Sequence, residues 1–98
     1  MEKDIEKYLK HKIDAMHGLY LKFVSPGHAG VPDRIILIDG RIVFVELKAS
    51  EKLRPRPQQQ AMFENFRKHG FNVEVIGSKE QADRFCDWLS VSLKDRRA

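Results

Sequence analysis

What most constrains the fold of this chain is an Asp39-Gly40 dipeptide set between two β-branched, apolar runs, residues 33–38 and 41–48. Asp-Gly suits a two-residue type I′ hairpin, whose central positions both need positive φ, so the runs are expected to pair as antiparallel strands. Both faces of the pair are apolar. Ile35, Leu37, Ile42 and Phe44 point one way, and Ile36, Ile38, Val43 and Val45 the other. Strands of that kind require cover on two sides, which helices must supply.

The flanking segments supply such helices. Ile5, Leu9, Ile13 and Met16 form one stripe of an amphipathic helix over about residues 2–17, closed by Gly18. A short strand over 19–24 follows and gives way to a loop at Ser25-Pro26-Gly27. Residues 49–56 are polar and basic. Pro57 then opens a helix that carries Phe63 and Phe66 and stops at Gly70. Residues 71–76 alternate as a fourth strand. Ser78 with Gln81 is a capping-box signature for a last helix, with Phe85, Trp88, Leu89 and Leu93 on its apolar side. The expected class is α/β, in the order α-β-β-β-α-β-α, with a mixed four-stranded sheet flanked by helices in one domain spanning residues 1–98.

Composition narrows the possibilities. Eighteen Lys and Arg against 14 Asp and Glu give +4, a moderately basic balance, and 42% hydrophobic residues make the chain foldable rather than disordered. No apolar run approaches the ~20 residues of a membrane span. The single Cys86 cannot form an internal disulfide, so a reducing cytoplasm is the expected setting. Cys86, Phe85 and Trp88 read as packing residues of the last helix.

The hairpin register points to chemistry. With Asp39 and Gly40 as the loop, cross-strand partners have numbers adding to 79, which sets Asp33 opposite Glu46. Lys48 lies two residues on, on the same face. Opposed like charges repel. Either the carboxylates lie at a solvated end with Lys48 as an ordinary ion-pair partner, or they bind a hard divalent cation such as Mg²⁺, with Lys48 orienting a water for attack on phosphate.

Pro32-Asp33 followed by Glu46-Leu47-Lys48 resembles the PD-(D/E)XK nuclease superfamily. The fuller string of residues 22–27, Gly30-Val31-Pro32-Asp33-Arg34, Val45-Glu46-Leu47-Lys48, Arg56-Pro57 and Gln60 is similar to the VRR-NUC family over roughly residues 2–80. The resemblance implies a restriction-endonuclease-like core and a metal-dependent endodeoxyribonuclease using Mg²⁺, with Mn²⁺ as substitute. It implies Asp33, Glu46 and the carbonyl of Leu47 as metal ligands and Lys48 as the catalytic lysine. Gln60, three residues before Phe63, stands for the family's supporting glutamine. The superfamily also places a glutamate on the first helix. The apolar stripe centres near ~175°, with Glu2 at ~200° and Glu6 at ~240° on its border; Glu6 is preferred and Glu2 is the alternative. Stand-alone modules of this kind resemble phage homodimers that resolve Holliday junctions, so branched DNA is the expected substrate. The rival readings are a sequence-specific restriction- or homing-type nuclease and a non-catalytic DNA-binding module. Lys22, Lys52, Arg54 and Arg56 are candidate DNA contacts, with His28 ranked below them.

Overall fold

A computed structural model describes the backbone of residues 2–97 and the side chains of residues 2–91. The element order is α1 (Glu2–Ala15), β1 (Leu19–Lys22), β2 (Arg34–Ile38), β3 (Arg41–Leu47), α2 (Pro57–Lys68), β4 (Asn72–Ile76) and α3 (Lys79–Arg97). The sheet runs β1-β2-β3-β4, antiparallel except for the β3·β4 pair. The expected class and order are those observed.

Asp39 and Gly40 both have positive φ, 46° and 78°, as a type I′ turn requires. The register follows from that turn, with Arg34 opposite Val45 and Ile38 opposite Arg41. The first helix stops two residues earlier than its stripe suggested, because His17 turns left-handed at φ 63° and Gly18 N–H closes onto the Ile13 carbonyl at 3.0 Å.

The two faces of the sheet are covered unequally. On one, Ile5, Leu9 and Ile13 of α1 pack with Ile36, Ile38, Val43, Val45 and Leu47, and with Ala82, Phe85, Cys86 and Leu89 of α3. On the other, α2 sets Phe66 edge-on to Phe44, 4.7 Å between ring centroids, with Phe23 and Phe71 also against Phe44. The expectation of full cover fails here. The row Leu19, Leu37 and Ile42, paired across three strands near the hairpin turn, is partly exposed, because the twelve-residue α2 lies over the opposite end. Trp88, expected in the apolar stripe of α3, is 40% exposed, stacked on Phe85 and covered by the Arg41 guanidinium. The side chain of Leu93 lies outside those described.

The last helix opens at Ser78 as its sequence suggested, with one of the two expected box bonds shifted by a residue to Gly77. Gln81 N–H donates to Ser78 Oγ at 3.0 Å, and the Gln81 side chain accepts from Gly77 N–H at 2.7 Å.

Candidate active site

The carboxyl end of β3, the start of β2 and the first turn of α2 meet at one corner of the sheet. Backbone bonds extend the ladder there, from Phe23 N–H to the Asp33 carbonyl at 2.8 Å and from Lys48 N–H to the Ile76 carbonyl at 2.9 Å. Alternation from the observed register then puts Asp33, Glu46 and Lys48 on the α2 side. Two short contacts are formed at this corner. Asp33 Oδ2 accepts from Leu47 N–H at 3.2 Å, and Lys48 Nζ lies 3.2 Å from Glu46 Oε2.

Glu46 is only 3% exposed. Its Oε1 is buried and has no hydrogen-bond partner among the described residues, while Oε2 receives both Lys48 and the Gln59 amide, the latter at 2.9 Å. Burial pushes its carboxyl above the usual range and the nearby Asp33 charge pushes the same way; Lys48 and Gln59 offset part of both. An orphaned buried acceptor is costly. A cation would satisfy it.

The glutamine at the site is Gln59, not Gln60. Its amide donates to Glu46, and its carbonyl accepts from Lys48 Nζ at 3.2 Å and from Arg56 N–H at 3.0 Å. Gln60 is exposed, and its amide donates to the Pro55 carbonyl at 2.7 Å. Helical geometry explains the shift. Gln59 lies four and seven residues before Phe63 and Phe66, within ~40° of each, whereas Gln60 is ~60° and ~120° away. Gly30 makes room for this turn: at φ +85° it sits where a Cβ would come within 3.2 Å of the Gln59 Cα.

Glu6 does not join the carboxylates. Its Oε1 is 2.7 Å from Arg34 Nη2, on the α1 side of the sheet, and Glu2 is exposed in the first turn of α1. Among the described residues no three His, Cys, Asp or Glu side chains form a metal-holding group. The acidic donors on hand are therefore the two carboxylates, Asp33 and Glu46. Carboxylate oxygens are hard donors of the kind a divalent cation such as Mg²⁺ takes.

Of the candidate DNA contacts, three lie on the segment next to this corner, whereas Lys22 pairs with Arg34 and so lies on the α1 face, away from Asp33. Lys22, exposed, ends β1 opposite Arg34. Lys52, Arg54 and Arg56 are exposed on the segment that leads from Lys48 to α2. That segment is anchored: Lys52 N–H bonds Ser50 Oγ, Leu53 N–H bonds the Ser50 carbonyl, and Ser78 Oγ donates to Glu51. His28 lies on the loop before Asp33, its ring 3.4 Å from Ser25 Oγ. The first turn of α2 has no acidic residue, so the positive end of its dipole is left for an anion.

The comparisons with known proteins can be set beside this geometry. No family model matches the chain. A solved structure described as "VRR_NUC domain" superposes with a TM-score of 0.84 at 40% identity, covering 88% of this chain and 94% of the other. A protein of Acyrthosiphon pisum secondary endosymbiont phage 1 named "Putative nuclease p44" is 39% identical over 80 residues, 81% of this chain and 85% of that protein. The chain belongs to the VRR-NUC family. The relative with the nuclease name is a phage protein, and the VRR-NUC fold accounts for the mixed sheet with three helices. Among the described residues no helix is long and apolar enough to cross a membrane.

Proposed function

We propose that this VRR-NUC protein is a metal-dependent endodeoxyribonuclease that cuts branched DNA as a homodimer, in the manner of a Holliday-junction resolvase. The observation that supports the metal site is the buried Oε1 of Glu46 beside Asp33, which has no hydrogen-bond partner among the described residues. Asp33, Glu46 and the Leu47 carbonyl hold Mg²⁺, with Mn²⁺ as substitute. When bound, the cation polarises the scissile phosphate and acidifies water. Lys48 orients the attacking water and offsets charge growing on the phosphate oxygens. Gln59 keeps Lys48 and Glu46 in register, since its two amide atoms bond one each. Lys52, Arg54 and Arg56 grip the DNA backbone beside the cut. Branched substrate and twofold assembly rest on the family resemblance, and two symmetric cuts call for two sites related by an axis.

The test compares cleavage of a four-way junction, a flap and a linear duplex of the same sequence, with Mg²⁺ or EDTA. Mg²⁺-dependent cutting that favours the junction, lost in Asp33→Asn and Lys48→Ala, is the expected result. Cutting in EDTA, or variants as active as the parent, would contradict the mechanism; equal cutting of linear duplex would contradict the substrate.

A further inference from the structure

Arg34 follows Asp33 but points to the opposite face of the sheet, where Ile36 and Ile38 of the same strand are buried against α1. Its side chain is 12% exposed, and its two terminal nitrogens have separate tasks. Nη1 donates to the carbonyl of Asp33 at 3.0 Å, and Nη2 bonds the Glu6 carboxylate at 2.7 Å. The Tyr20 ring packs below, 5.9 Å from the guanidinium carbon. The Asp33 carbonyl also accepts from Phe23 N–H at 2.8 Å. Both of its lone pairs are therefore used, and the peptide that carries the Asp33 side chain is fixed from two directions.

We infer that Arg34, braced by Glu6, is a positioning residue that sets the angle at which Asp33 meets the metal. The inference rests on the nuclease reading above and deepens its site. Asp33 immediately precedes β2 at the mouth of a loop, so this tie adds a second restraint on its carbonyl beside the Phe23 bond. A guanidinium fork can serve the carbonyl and the carboxylate at once, whereas an ammonium is a point donor without that geometry. Glu6 therefore acts through Arg34 and on the far side of the sheet, not as a ligand. Partners behind a metal ligand typically matter 10–100-fold in affinity.

The experiment measures Mn²⁺ affinity by calorimetry, with cleavage followed in parallel across Mg²⁺ concentration. The variants are Arg34→Lys, Arg34→Gln, Glu6→Gln and the double Arg34→Gln/Glu6→Gln. Arg34→Lys keeps the charge and is the variant to rely on should Arg34→Gln fold poorly. About tenfold weaker Mn²⁺ binding is expected for each Arg34 variant, with a matching rise in the Mg²⁺ needed for half-maximal cutting. Cleavage at saturating Mg²⁺ is expected to stay within about threefold of the parent. A role in folding alone would lower the melting point and leave the metal half-saturation unmoved, overturning the inference. Glu6→Gln is expected to weaken binding in the parent and to add nothing once Arg34 is replaced. A full further loss from Glu6→Gln in the Arg34→Gln background would make Glu6 a ligand and overturn it too. A parent protein that neither binds Mn²⁺ nor cuts DNA would instead sink the nuclease reading.

Discussion

Replacing Gln59 by Ala removes a side chain that holds three groups together. Its bond to the Glu46 carboxylate, 2.9 Å long and buried, is charge-assisted and worth about 1.5–3 kcal/mol. Its bond to Arg56 N–H, 3.0 Å, closes the first turn of α2 and contributes about 0.5–1.5 kcal/mol. The Lys48 bond adds little, because that ammonium is 18% exposed and can turn to water. The loss is therefore about 2–4 kcal/mol, a large share of a stability of ~5–15 kcal/mol. Gln60→Ala, which breaks one exposed bond to Pro55, is expected to cost under about 1 kcal/mol. Equilibrium urea unfolding in EDTA measures both. Cleavage in Mg²⁺ should fall on the order of a hundredfold for Gln59→Ala, since Lys48 loses the tether that aims it. Equal costs for the two variants, or a change below about 0.5 kcal/mol at Gln59, would refute the bridging role.

Three further outcomes follow from other parts of the structure. In Gly77→Ala the new methyl would stand 2.5 Å from the Ser50 carbonyl oxygen, so a loss of about 1–3 kcal/mol is expected in urea unfolding. Weaker DNA binding should accompany it, because Ser50 anchors the basic segment; unchanged stability would show that the segment is free to move. Asp83 accepts from Lys12 and Tyr8, and these bonds hold its carboxyl below the usual 3.8, so the tie between α1 and α3 contributes above that value and is lost as pH falls through the folded pKa. The urea midpoint of Asp83→Asn should therefore lie below the parent's near neutral pH and converge with it in strong acid; parallel curves would count against the tie. For Glu46 the sign is reversed: its folded pKa lies above the usual 4.5, so the metal-free fold gains stability as pH falls through that folded value toward 4.5. Glu46→Gln should lack that gain, and a parent–variant difference that does not change across the window would argue against a strained carboxylate.

The sequence carried the fold through a few strong local signals. Asp39-Gly40 set the hairpin turn, and with it the register that brings Asp33 to Glu46, because two-residue turns leave no slack. The capping box at Ser78 and the stripe of Ile5, Leu9 and Ile13 placed the helices for similar reasons. Gln59 was harder to find among three consecutive glutamines. The phase of Phe63 and Phe66 held the answer, but spacing counted to Phe63 alone favoured Gln60. Helical angle alone does not place Glu6: a residue at the border of the buried stripe can face either the site or the next strand, and the position of Arg34 decides. The exposed row at Leu19, Leu37 and Ile42 was not legible either, since strand patterns do not tell how far along a sheet a short helix reaches.

The account turns on whether two opposed acids at the end of the hairpin take up a cation. Calorimetric titration of Mn²⁺ into the protein without DNA tests this directly. A saturable site in the parent, absent from both Asp33→Asn and Glu46→Gln while circular dichroism shows them folded, is the predicted result. Undiminished Mn²⁺ uptake by either variant, or none by the parent, would contradict it.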